Sequence, residues 1–194
     1  MKLPRQADLF ANDTDHRPRR YTHGGDTSKG KRKLSRPLDR RKPAHLTLKS
    51  SKAKGPLNFR SPRNKLYIDK VVEKWARKLG ITIHAHQNVG NHIHLIVSFP
   101  RREAVQNFMR TVAGLIARHV TGAKKGKPFG ERFWDALAFS RVVHGKRDLW
   151  NLKRYILKNE VEAEFGAEAR EGVQRFDEAD RKARKTSRPI WEFL

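Results

Sequence analysis

The chain has 194 residues, with 44 Lys and Arg against 20 Asp and Glu, a formal net charge of +24. That length accommodates one ordinary domain with tails, and a positive field of this size attracts a polyanion, nucleic acid first and anionic membrane second. The absence of cysteine excludes disulfides, thiolate zinc sites and a cysteine nucleophile. No apolar run reaches membrane-spanning length, nor is there an apolar secretory leader, so a cytoplasmic protein without a membrane partner is expected.

Residues 1–42 carry 13 basic and 5 acidic side chains and almost no apolar periodicity. They read as a mobile basic arm for nonspecific phosphate contact, with charge clusters at Lys29–Lys33 and Arg40–Lys42. The folded part is expected over residues 43–166. His45-Leu46-Thr47-Leu48-Lys49 alternates as a first strand. Asn64 to Leu79 places Ile68, Val71, Val72, Trp75 and Leu79 on one helical face, and Gly80 stops the helix. Ile81 to Gln87 and His92 to Phe99 read as strands of a hairpin across the turn residues Asn88-Val89-Gly90-Asn91. A second helix spans Glu103 to Val120, with Val105, Phe108, Met109, Val112, Leu115, Ile116 and His119 at helical spacing. A basic loop, Thr121 to Gly130, leads to a fourth strand over Phe133 to His144 and a third helix over Asp148 to Phe165. The order strand, helix, strand, strand, helix, strand, helix predicts an α+β fold: a ferredoxin-like or RRM-like antiparallel sheet with helices, plus a C-terminal helix. Residues 167–194 form a polar tail with an apolar end, Ile190-Trp191-Glu192-Phe193-Leu194, suited to docking on its own domain or on a partner.

Two stretches carry chemistry. In Asn91-His92-Ile93-His94-Leu95, strand alternation points His92 and His94 one way and Ile93, Leu95, Val97 and Phe99 the other. One side anchors the strand in the core, while two imidazoles about 7 Å of backbone apart can converge on a cation. His84 and His86 repeat the spacing on the preceding strand; their hairpin register is open, and partly solvated histidines are the expected reading. In Tyr155-Ile156-Leu157-Lys158-Asn159, the i, i+4 spacing puts Tyr155 and Asn159 on one helical face. A phenolate can attack phosphorus, and an amide oxygen can be a third metal ligand. A two-histidine strand or a helical tyrosine has a plain structural reading when taken alone; the two stretches gain meaning together.

Taken in order, Asn-His-hydrophobic-His-Leu, then a helix, then Arg132-Phe133-Trp134, then Arg154-Tyr155-x-x-x-Asn159 resembles the HUH single-strand DNA transposases with one catalytic tyrosine. More narrowly it is similar to the REP-associated tyrosine transposases. The resemblance covers roughly residues 43–166. It implies a divalent cation, Mg²⁺ or Mn²⁺, on His92, His94 and Asn159, where many relatives have Gln as the third ligand. It implies Tyr155 as nucleophile on the C-terminal catalytic helix, and single-stranded DNA, with a hairpin beside the cleavage point, as partner of a monomer or homodimer. Bacterial-type cytoplasm, and the nucleoid when DNA is bound, is the implied setting. Glu160 departs from the Pro that often follows the Asn in REP-associated members.

For DNA contact the sequence offers Lys124, Lys125, Lys127, Arg132 and Arg154. Gly122 to Gly130 lacks Walker spacing and suits a basic DNA-contacting loop. Phe133 and Trp134 could stack on bases, against the slightly favoured reading that they are core residues. The rival functions are an RRM-like nucleic-acid-binding module without catalysis, which would show clustered aromatics on its central strands, and a small replication initiator or relaxase-type nuclease.

Overall fold

A computed structural model describes residues 22–25, 35–166 and 169. Its elements are β1 (Thr22–His23), β2 (Ala44–Lys49), α1 (Pro62–Lys78), β3 (Thr82–Asn88), β4 (His92–Ser98), α2 (Arg102–Thr121), β5 (Phe139–Val142) and α3 (Gly145–Phe165). They build a five-stranded sheet in the order β1-β5-β2-β4-β3, with every pair antiparallel. Omitting β1, the order and the intervening helices are those of the expected ferredoxin-like unit.

The alternation of each strand explains its two faces. Leu46 and Leu48 of β2 and Ile93, Leu95 and Val97 of β4 are buried in one cluster with Ile68, Val71, Val72 and Ala76 of α1 and Val105, Phe108, Met109, Val112 and Ile116 of α2. Those helical residues recur at the i, i+3, i+4 spacing that faces a sheet, and each large apolar side chain so buried stabilises the fold by roughly 1.5–3 kcal/mol. The other face of β2 and β4 presents His45, Thr47 and Lys49 beside Ile96, His94 and His92, as the pairing His45↔Ile96, Thr47↔His94, Lys49↔His92 requires. Here a second, smaller cluster of Ile96, Val143, Leu152 and Ile156 docks α3. The sheet is therefore covered on both sides, and the histidine face is a helix–sheet interface.

The turn between β3 and β4 fixes where His92 begins. Asn88 donates its amide to Phe59 O (2.8 Å) and accepts from Gly90 N–H (3.1 Å). Gly90 has φ +95°, and a Cβ there would lie 3.2 Å from Asn58 Oδ1, so a left-handed, closely approached glycine suits the site.

Three expectations change. The fourth strand is short, Phe139–Val142 rather than Phe133 to His144. Phe133 is buried and packs against Phe59 and Trp134, while the Asp135 carboxylate accepts from the N–H (2.8 Å) and hydroxyl (2.9 Å) of Ser51. Those contacts bend the chain before it can join the ladder. Trp134 donates its indole N–H to Ala113 O (3.2 Å), so both aromatics serve packing, and base stacking by this pair is set aside. Within the stretch read as a basic arm, Thr22 and His23 pair with Arg141 and Ser140 as an edge strand. Gly24 follows at φ +78°, where a Cβ would lie 2.2 Å from Ala138 O; so close an approach admits only glycine. Lys29–Lys33 and the apolar end at Ile190–Leu194 lie outside the described residues.

Candidate active site

His92 and His94 sit one behind the other on β4, their rings 4.7 Å apart between centroids and nearly perpendicular (84°). Tyr155 comes down on them from α3, its ring 6.0 Å from that of His94 and edge-on (86°). Leu152 and Ile156, buried at 2% and 1% exposure, hold that face of the helix against the sheet. The same face carries Asn159 one turn beyond Tyr155. The fold thus brings both histidines and the tyrosine together from elements 61 residues apart in sequence (94 to 155).

The ring nitrogens have divided duties. His92 donates its Nδ1–H to Asn91 Oδ1 at 2.6 Å, which leaves Nε2 as the lone-pair nitrogen if the ring is neutral. His94 Nδ1 lies 3.1 Å from His45 Nε2 and 3.3 Å from Thr47 Oγ1, and its Nε2 is buried with no hydrogen-bond partner among the described residues. The amide nitrogen of Asn159 is buried in the same condition; rotating the amide by a half turn would put its oxygen there. A buried imidazole nitrogen without a partner is the condition a bound cation relieves. Imidazole nitrogen suits Zn²⁺ and other transition metals, and an amide oxygen with water suits Mg²⁺ or Mn²⁺. Among the described residues no group of three His, Cys, Asp or Glu forms a metal cage; the donors the candidate residues offer a cation are two imidazoles and an amide.

The histidines are held neutral. Burial pushes His92 down to about 4, helped by the nearby Lys49 ammonium. Burial also pushes His45 down to about 3, with Arg141 adding to the effect, and holds His94 well below the ordinary imidazole value, with His92 and His45 contributing. Neutral imidazole is the metal-binding form.

The first turn of α3 is clamped to β5. Arg141 donates to both carboxylate oxygens of Asp148 at 3.0 Å, and the His144 backbone N–H donates to Asp148 Oδ2 at 2.6 Å. The carboxylate also complements the positive end of the helix. Arg141 and Asp148 are 8% and 5% exposed, so this ion pair is a buried one, and it fixes the helix that carries Tyr155.

His45, Asn91 and the Arg141–Asp148 clamp were not anticipated as site residues. The register of β2 against β4 brings in His45, and no local spacing signals it. Asn91 stood inside the motif without a role. The second histidine pair behaves differently: β3 bulges between Ile83 and Ala85. His84 reaches Ser98 Oγ (2.7 Å), whereas His86 lies opposite Leu95 on the α1 side, 3.8 Å from Asp69. Lys124, Lys125, Lys127 and Arg132 are exposed, the three lysines in a loop closed by a Lys124–Lys127 bridge. Arg154 lays its guanidinium 4.3 Å from the ring centre of Trp150, itself 46% exposed.

Comparison with known proteins adds the following. The family model described as "Transposase IS200 like" matches residues 57–159, a span from the end of the β2–α1 connection to Asn159. Among solved structures, a Deinococcus radiodurans R1 protein described as a candidate transposase is similar at 14% identity and a TM-score of 0.40, over 66% of this chain and 98% of that one. No curated protein matches in sequence. Among the described residues no helix is long and apolar enough to cross a membrane.

Proposed function

The chain belongs to the IS200-like transposase family, enzymes that cut and transfer DNA, and from this premise we propose that it cleaves single-stranded DNA with Tyr155 as nucleophile. The observation that carries this reading is the edge-on seating of Tyr155 over His94 at 6.0 Å, beside a buried imidazole nitrogen without a partner. In this reading His92, His94 and Asn159 hold Mg²⁺ or Mn²⁺. When bound, such a cation draws charge from a nonbridging phosphate oxygen.

Tyr155 gives up its phenolic proton and its oxygen bonds to phosphorus in line with the departing 3′ oxygen. The P–O3′ bond breaks, the 3′ oxygen takes up from water a proton equivalent to the one Tyr155 released and leaves as a hydroxyl, and the 5′ phosphate stays on Tyr155. A 3′-hydroxyl from another strand reverses the steps and joins DNA, so no nucleotide cofactor is consumed. The helix–sheet interface seats the tyrosine and limits water around the phosphotyrosine. A hairpin is the substrate form this reading favours, with Lys124, Lys125, Lys127, Arg132 and Arg154 as candidate phosphate contacts and a monomer or homodimer as the working unit.

An RRM-like binding platform fits less well. Such a platform needs an open sheet with stacking aromatics, whereas α3 covers this face through Leu152 and Ile156. The test is incubation with labelled single-stranded hairpin DNA and Mn²⁺, followed by denaturing separation and peptide mapping. Wild type is expected to form a covalent adduct at Tyr155, and Tyr155→Phe, which keeps the ring and loses the hydroxyl, to form none. Undiminished cleavage by Tyr155→Phe, or an adduct on another residue, overturns the assignment.

A further inference from the structure

His45 belongs to none of the chemistry above, yet it is 2% exposed and meets His94 edge to edge, the ring centroids 5.3 Å apart and the ring planes inclined by 21°. Its Nε2 approaches His94 Nδ1 at 3.1 Å, and Thr47 Oγ1 is 3.3 Å from each of those two nitrogens. The three groups form a closed triangle with no room for two opposed hydrogens. Strand register builds it: Thr47 pairs with His94 and His45 with Ile96, so all three side chains emerge on the α3 side of neighbouring strands.

The proton count in this triangle is restrictive. A neutral imidazole carries one N–H. If His45 held its hydrogen on Nε2, His94 Nδ1 would have to be the acceptor, and the His94 hydrogen would sit on Nε2. If His45 holds its hydrogen on Nδ1, its Nε2 accepts from His94 Nδ1–H, and His94 Nε2 is left as a lone pair. Only the second arrangement gives His94 a ligating Nε2. In the same arrangement Thr47 Oγ1, 3.3 Å from His94 Nδ1, can accept in part from the same His94 N–H. The arrangement mirrors His92, whose Nδ1–H is taken by Asn91 Oδ1.

We propose that His45 is a positioning residue for the metal site: by accepting a hydrogen bond from His94 Nδ1–H, it fixes His94 in the tautomer and ring orientation that present Nε2 to a cation. Partners that orient a ligating histidine in this way typically change metal affinity by about 10–100-fold when removed. The inference rests on the reading of His94 as a metal ligand, and the experiment separates the two.

The metal-free, uniformly ¹⁵N-labelled protein is examined by long-range ¹H–¹⁵N correlation of its imidazoles. The wild type is expected to show His94 protonated on Nδ1, and His94 protonated on Nε2 overturns the proposal without any variant. Mn²⁺ affinity is then measured by electron paramagnetic resonance titration for wild type, His45→Phe, His45→Gln and His94→Ala. His45→Phe keeps a planar ring against Phe139 and removes the acceptor; it is expected to lose roughly 10–100-fold in Mn²⁺ affinity and to lose the fixed His94 tautomer. His45→Gln can accept through its side-chain oxygen and is expected to keep both. Loss of Mn²⁺ binding in His94→Ala with wild-type affinity in His45→Phe overturns this inference and leaves the proposed site standing. Unchanged Mn²⁺ binding in His94→Ala overturns both. A His45→Phe chain that fails to fold leaves the wild-type tautomer and the His45→Gln affinity to decide: loss of affinity by folded His45→Gln to the His94→Ala level counts against the hydrogen-bond role.

Discussion

Asp148→Asn is the most informative structural perturbation, because it removes one charge of a buried pair and leaves nearly the same shape. Arg141, 8% exposed, would keep its guanidinium against an amide in place of the carboxylate that accepts its two 3.0 Å contacts. Breaking one side of a buried ion pair costs about 3–5 kcal/mol, whereas an exposed pair such as Lys65–Asp69 is worth about 0–1 kcal/mol. For an ordered region the size of residues 35–166, an unfolding entropy of about 2.1 cal/mol/K per residue turns that loss into a fall in Tm of roughly 10–18 °C. The double variant Arg141→Met, Asp148→Met removes both charges and also the capping contact to His144, a loss of about 1 kcal/mol, and is expected to fall by only a few degrees. Thermal denaturation followed by circular dichroism measures both. Adduct formation with hairpin DNA should drop in Asp148→Asn more than the remaining folded fraction explains, since the clamp seats the helix bearing Tyr155. A Tm loss of under about 4 °C, corresponding to roughly 1 kcal/mol, or a double variant less stable than the single, would refute the reasoning.

The buried histidines make a pH prediction. Their folded values lie below the ordinary 6.5, His45 at about 3 and His92 at about 4, so the unfolded chain binds protons first as pH falls. The stability they supply is complete above 6.5 and is lost progressively toward the folded values. At pH 5 each costs about 2 kcal/mol relative to neutrality. Urea unfolding with EDTA present should show lower stability at pH 5 than at pH 7, and equal or greater stability at pH 5 contradicts the burial argument. Replacing Lys124, Lys125 and Lys127 together by Ala should reduce the salt slope of single-strand binding by roughly 2, at about 0.7 per phosphate contact, with cleavage retained at saturating protein; an unchanged slope removes the loop from the DNA path. His92→Ala and His94→Ala should each abolish Mn²⁺ binding measured by calorimetry, while His86→Ala leaves it intact, and the reverse pattern would move the site to β3.

Much of the fold was legible because its periodicities are local. The apolar faces of α1 and α2 and the alternation of β4 each announce themselves within a dozen residues, and Tyr155 and Asn159 share a face through helix geometry alone. The features that were missed depend on how separate elements meet, which spacing within one element does not show. His45 becomes a neighbour of His94 only through a β2–β4 register, and Arg141 meets Asp148 only after β5 turns into α3. Phe133 and Trp134 looked like the start of a strand by composition. The contacts of Asp135 to Ser51, which no local pattern shows, stop that strand. Two residues of pairing, Thr22 and His23, are too short for any pattern to register.

The bulge in β3 also sets where this hairpin can gain or lose a residue. Because Ile83 already faces Val97 and Ala85 already faces Ile96, His84 is the surplus residue, and a chain shortened by one at that position can close into a regular ladder with every other side chain on its present side. A length change between Ala85 and Asn88 has no such slack. Loss of Gln87, for instance, would bring His86 opposite His94 and move Ala85 to the α1 side. Drift in length is therefore tolerable on one side of Ala85 and disruptive on the other, a boundary that falls within a single strand.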